Sequence, residues 1–95
     1  MPKYISLLNF TEQGAKAIKK STARAREFNA VAAKGGVKIE GEYWTVGRYD
    51  GLLILSGPNE QAVLRAVSEL SALGNVRTQT LEAFTDQEFE AIVGK

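Results

Sequence analysis

The sequence predicts one α+β domain with the element order βαββαβ. Three observations carry the prediction. Four stretches, around 3–10, 37–45, 52–55 and 76–84, read as strands, and the segments after the first and third repeat apolar residues at helical spacing. A chain of 95 residues, 44% hydrophobic, is long enough for one core and too short for two. Finally, Leu52-Leu53-Ile54-Leu55 is apolar at consecutive positions, the mark of a central strand covered on both faces.

The first strand runs from Lys3 to Phe10, with Ile5 and Leu7 on one face and Tyr4, Ser6, Leu8 and Phe10 on the other. Thr11 suits a helix N-cap, with Glu12 favourably placed in the first turn. The helix that follows carries Ala15 and Ile18 toward a core and meets Ser21-Thr22, where a break or kink is expected. Beyond it Ala25, Phe28 and Ala32 step along one helical face until Lys34 and Gly35-Gly36 end it. Val37, Ile39, Gly41, Tyr43 and Thr45 alternate with Lys38, Glu40, Glu42 and Trp44, the pattern of a half-exposed strand near a sheet edge. Gly47 to Asp50 makes the turn into the third strand. Gly57-Pro58-Asn59 opens a second helix, with Val63, Ala66, Val67, Leu70 and Leu73 at helical spacing and Gly74-Asn75 as its stop. Val76 to Phe84 alternates as the last strand, and Thr85 with Asp86 and Glu88 predicts a short capped helix at the end.

This order closes as a ferredoxin-like, four-stranded antiparallel sheet ordered 4-1-3-2, with both helices on one face. The first and third strands are then central and apolar on both sides, yet the helices cover only one side. Tyr4, Leu8, Phe10 and half of the Leu52–Leu55 run are expected on the uncovered side, buried by a second copy packing sheet against sheet; the alternatives are a modest exposed patch or cover by the C-terminal segment. A small domain gains from such association, since alone it buries only about 60% of its surface.

Composition narrows the chemistry. Twelve Lys and Arg against eleven Asp and Glu leave a formal charge of +1, too little for a global field that captures nucleic acid or anionic lipid. The start, Met1-Pro2-Lys3-Tyr4, lacks the features of a secretory signal, and no apolar run approaches a membrane span, so a cytoplasmic protein is expected. The absence of Cys and His removes disulfides, thiolate and imidazole metal sites, and every triad with a His base. No nucleotide fingerprint or carboxylate metal box is present, and no metal or cofactor is expected.

Gly47, Tyr49 and Asp50, flanked by Tyr43 to Val46, form one motif; Asn9-Phe10-Thr11 with Gly14 and the stretch Leu73 to Leu81 form two more. On these blocks the chain resembles the GYD domain family of small bacterial proteins, from about residue 3 to about residue 92. Ser21-Thr22 departs from the Ser-Pro of that family's helix break. The resemblance implies a ferredoxin-like fold related to dimeric α/β barrels, in which two sheets enclose an interior that sometimes holds a ligand. It implies no reaction.

Several residues invite a functional reading. Gly47 to Asp50 reads as a structural turn, Gly taking positive φ and Asp accepting backbone amides; alternatively Tyr49 and Asp50 carry a phenol and a carboxylate to a pocket mouth. Arg77, Thr78, Gln79 and Thr80 place four polar groups on the last strand. They fit an edge made polar against aggregation, or a cavity in which Thr78 and Thr80 join Tyr4 or Trp44 while Arg77 holds an anion. Lys16, Lys19, Lys20, Arg24 and Arg26 form a local basic cluster; without stacking aromatics it reads as a solvated helix face rather than a nucleic-acid site.

Two functions follow from this reading. The first is a homo-oligomeric small-molecule-binding or structural domain spanning 1–95. Its cavity or interface on the sheet face is lined by Tyr4, Leu8, Trp44, Leu53 or Leu55, Thr78 and Thr80, and fits a small apolar or aromatic ligand. The second is a cofactor-free enzyme acting on an activated aromatic or carbonyl substrate, with Asp50 or Tyr49 carrying the proton and Arg77 stabilising negative charge.

Overall fold

A computed structural model describes residues 2–94. In chain order the elements are β1 (Lys3–Phe10), α1 (Glu12–Lys16), a single 3-10 turn (Ile18–Lys20), α2 (Ser21–Lys34), β2 (Lys38–Trp44), β3 (Gly51–Ser56), α3 (Glu60–Ala72), β4 (Val76–Ala83) and α4 (Asp86–Val93). The sheet is antiparallel with order β2-β3-β1-β4, which is the expected 4-1-3-2 read from the other edge. β1 and β3 are central, as their apolar composition requires. No helix among the described residues is long and apolar enough to cross a membrane.

The core lies between one sheet face and the helices. Tyr4, Leu53 and Leu55 meet Phe28 and Ala32 of α2 and Val63, Ala66 and Val67 of α3, with Leu8 and Leu70 packed at the margin. This corrects the expected sides. Tyr4, Leu8 and Phe10 share their face with Leu53 and Leu55 and look toward the helices, whereas Ile5, Leu7, Leu52 and Ile54 lie on the uncovered side. Alternation sorts the residues of a strand into two sets; when both sets are apolar it does not say which one meets the helices.

β2 departs from simple alternation. A bulge between Ile39 and Gly41 inserts Glu40, so Ile39 sits opposite Leu55 on the covered side while Gly41 and Tyr43 sit opposite Ile54 and Leu52 on the uncovered one. The extra residue reverses side-chain parity and carries Glu42 to the helix side, opposite Leu53. On the uncovered side Glu40 meets Lys3, with Nζ 3.3 Å from Oε1.

The helical break falls where Ser21 predicted it. Its 3-10 turn resets the phase of the chain, leaving Ile18 52% exposed and Ala15 exposed, so neither reaches the core as expected. Phe28 and Ala32 do. In α3 Asn59 caps the first turn, its side chain accepting from the Ala62 amide, and Leu73 at the far end is exposed. α4 begins with a capping box: the Thr85 hydroxyl accepts from the Glu88 amide at 3.1 Å and the Glu88 carboxylate from the Thr85 amide at 2.8 Å. None of its residues is buried.

Candidate functional site

Two backbone clips at one end of the sheet shape the site. In the first, Gly47 at φ +124° turns the chain after β2, and the Thr45 amide donates to the Asp50 carbonyl at 2.9 Å. Asp50 then replaces a missing strand: its amide donates to the Leu8 carbonyl at 2.8 Å, and its Oδ2 accepts the Phe10 amide at 2.8 Å. The carboxylate thus satisfies a β1 donor that lies beyond Gly51, the first residue of β3. Tyr49 leans the other way, its hydroxyl donating to Gln79 Oε1 at 3.1 Å on the uncovered side, with the Arg48 guanidinium 5.9 Å from its ring centre.

The second clip joins the start of α1 to the turn after α3. Thr11 donates its amide to the Asn75 carbonyl at 3.1 Å and its hydroxyl to the Gly74 carbonyl at 2.6 Å. Gln13 Nε2 donates to the Leu73 carbonyl at 3.0 Å and to Asn75 Oδ1 at 2.9 Å. Gly14 is buried against the backbone of Asn75 with no room for a Cβ. The blocks at 9–14 and 73–81, far apart in sequence, are therefore in contact.

Between these clips, α2 and the end of β2 lies a cavity of about 70 Å³, with apolar walls that include Leu8, Phe28, Leu53 and Leu70. Trp44 lies at its rim, 48% exposed, its indole N–H donating to Ser21 Oγ at 2.9 Å. Glu42 lines the interior. Its Oε1 accepts from Asn29 Nδ2 at 3.1 Å, while Glu42 Oε2 and Asn29 Oδ1 are both buried without a hydrogen-bond partner. Arg24 also lines the cavity and donates from Nη1 to the Ala17 carbonyl at 2.7 Å. Two buried acceptors without donors in one side-chain pair are unusual, because buried polar groups are nearly always paired.

A second, acidic groove runs between α3 and β4. Tyr4 and Thr80 line it with Glu60 and Glu82. Burial raises the Tyr4 phenol pKa above its usual 10.0, and the charges of Glu60 and then Glu82 raise it further, so the group stays a protonated donor; its oxygen has no partner. Thr80 exchanges a hydrogen bond with Ser6 at 3.0 Å and Thr78 one with Ser71 at 3.3 Å.

The residues singled out from sequence therefore fall into three places. Leu8, Trp44 and Asp50 border the helix-side cavity. Tyr4 and Thr80 border the groove. Arg77, opposite Asn9, and Tyr49 with Gln79 belong to the uncovered sheet side, so Asp50 at the helix-side cavity is across the sheet from both. Tyr4, Leu8, Trp44, Thr78 and Thr80 all sit on the helix side rather than on the open face expected to hold a cavity. Glu42, Arg24 and Asn29 were not legible as site residues. Arg24 precedes Phe28 by one helical turn, a usable signal, but Glu42 turns inward only because of the bulge.

The open side is a surface in its own right. Ile5, Leu7, Leu52 and Ile54 are half-buried, while Tyr43 and Leu81 are 59% and 47% exposed. Phe84 and the α4 residues Phe89, Ile92 and Val93 add further exposed apolar side chains.

Comparison with known proteins places the molecule. The crystal structure of TTHA0845 from Thermus thermophilus matches with a TM-score of 0.58 at 20% identity, over 90% of this chain and 95% of that one, a likeness of fold. A Thermus thermophilus protein described as a glutamine synthetase and cystathionine beta-lyase binding protein is 33% identical over 84 residues, 87% of this chain and 88% of that protein. The GYD domain model matches residues 4–93, nearly the whole length, and the chain belongs to the GYD domain family.

Proposed function

We propose that residues 1–95 form a homo-oligomeric binding domain that acts by docking, with the uncovered sheet face packed on the same face of a second copy in the manner of a ferredoxin-like dimeric α/β barrel. The observation that carries this reading is the apolar surface of Ile5, Leu7, Leu52, Ile54, Tyr43 and Leu81 on the side the helices leave open. Four strands of six to eight residues present roughly 450 Å² at ordinary strand spacings. A stable pair buries about 800 Å² per partner. The sheet alone falls short, and the exposed apolar side chains of Phe84, Phe89, Ile92 and Val93 supply more area of the same character.

The relative described as binding glutamine synthetase and cystathionine beta-lyase supports a protein as the further partner of this chain. Turnover has less support, because Asp50, one of the two proton carriers suggested by sequence, is held by the Phe10 amide at the helix-side cavity, across the sheet from Tyr49 and Arg77. Native mass spectrometry combined with pull-down of the host's own glutamine synthetase tests the proposal. The wild-type chain is expected as a multimer that retains the enzyme. A monomer at micromolar concentration that retains nothing would falsify the reading.

A further inference from the structure

We propose that the free edge of β4 is a docking site for an extended segment of a partner protein, one with Lys or Arg at alternate positions and aliphatic residues between them. The backbone of β1 fixes what that edge offers. The Leu8 carbonyl accepts from Asp50, the Phe10 amide donates to Asp50 Oδ2 and the Pro2 carbonyl accepts from Gly57, so the even-numbered residues of β1 turn their backbone groups toward β3. The odd-numbered ones face β4, and Thr11 continues them by donating to the Asn75 carbonyl. In an antiparallel pair, residues that exchange hydrogen bonds stand directly opposite one another. Arg77, Gln79 and Leu81 therefore spend their backbone groups on Asn9, Leu7 and Ile5, while Thr78, Thr80 and Glu82 turn theirs outward. No strand among the described residues lies on that side.

Of the two sheet edges, β4 is the one suited to receive a strand. Its eight residues keep a single register against β1 and include no Pro or Lys. β2, the opposite edge, is interrupted by its bulge and carries Lys38 and Glu40, which makes it a poor mate for the β4 of a second copy. A strand laid on β4 places every second side chain on the helix side, beside Thr80 and Glu82. There the groove of about 430 Å³ between α3 and β4 is walled by Leu64, 66% exposed, and edged by Glu60 and Glu82. Both charges act on the Tyr4 phenol beneath them, so they share one field. Lysine or arginine stems cover Leu64 while their heads meet these carboxylates, and an acidic segment is repelled. The intervening side chains fall next to Leu81 and extend the open apolar face. Backbone hydrogen bonds supply affinity and the alternate side chains supply specificity. The buried Tyr4 oxygen takes no part.

This inference rests on the proposed protein partner and is independent of sheet-to-sheet pairing. The probe is a capped hexapeptide, Val-Lys-Val-Lys-Val-Thr, titrated into the full chain while backbone amide signals and their exchange are followed by NMR. Without peptide, the Thr78, Thr80 and Glu82 amides are expected to exchange freely and those of Arg77, Gln79 and Leu81 slowly. The peptide is expected to protect the first set, saturating below about 1 mM. N-methylation of both lysines, whose amides face β4 in the complex, is expected to abolish binding, whereas N-methylation of the valines preserves it. Glutamate in place of both lysines is expected to weaken binding at least about fivefold, and Glu82→Lys, at an exposed position, to do the same to the lysine peptide. Should that variant fail to fold, the peptide comparisons on the wild-type chain decide. Slow exchange of Thr78, Thr80 and Glu82 without peptide, no saturation up to about 1 mM, equal binding of the glutamate peptide, tolerance of methylated lysines, or unaltered affinity in folded Glu82→Lys overturns the assignment. Native mass spectrometry of the same samples reads sheet pairing separately. A multimer that binds no peptide fails this inference alone, and a monomer that binds it fails only the pairing.

Discussion

A methyl group added at Gly14 would run into the carbonyl of Asn75, and backbone there is fixed by the Thr11 and Gln13 hydrogen bonds. The neighbour cannot yield as a flexible side chain would. Gly14→Ala is therefore expected to destabilise the fold by about 2–3 kcal/mol, the scale of overpacking in a tight contact, measured by denaturant unfolding. Wild-type stability in that variant would mean that the α1 contact is loose. Asp50 is the complementary case, in which a polar group is needed rather than excluded. Asp50→Ala leaves the Phe10 amide without its acceptor and is expected to cost about 1–3 kcal/mol. Asp50→Asn, which keeps a neutral acceptor, should cost less. Equal losses in the two variants would show that the carboxylate acts otherwise than through that amide.

Among the elements, α4 depends most on its own chemistry, since none of its residues is buried. The Thr85 amide and then the Thr85 hydroxyl hold the Glu88 carboxylate pKa below its ordinary 4.5. A depressed carboxylate contributes stability that is fully present above pH 4.5 and is lost as the pH falls through the lower, folded value. Helical signal and amide-exchange protection of α4 should thus decline at acid pH before those of α3. Thr85→Ala should have the same effect at neutral pH, costing the helix about 1 kcal/mol. Retention of α4 protection in that variant would show that something other than the cap holds the helix.

For the whole molecule the division of β3 between two environments is the decisive feature. Leu55 is fully buried under the helices, whereas Ile54 faces the open side. Leu55→Ala should destabilise every form of the protein by about 2–5 kcal/mol. Ile54→Lys should instead release a folded monomer from the assembly, because only the proposed partner is asked to accommodate the charge. Sedimentation and thermal melting separate these outcomes; an assembly unaffected by Ile54→Lys would count against pairing through this face. The described residues span 48 × 31 × 17 Å, a flat body consistent with one layer of helices on one layer of sheet.

Element order, the central places of β1 and β3, the break before Ser21 and the capped final helix were all legible in the sequence, because spacing, caps and apolar runs act over a few residues. The family blocks were legible too, although their contact across the clip of Thr11, Gly14 and Asn75 was not. What tertiary structure alone decided was sidedness. With apolar residues on both faces of β1 and β3, local pattern gives two equivalent choices, and only the packing of α2 and α3 selects Tyr4, Leu8, Leu53 and Leu55 for the core. The bulge at Glu40 then reverses one edge strand and brings Glu42 to Asn29 and the cavity, a consequence of strand pairing that the spacing of residues 37–45 does not contain.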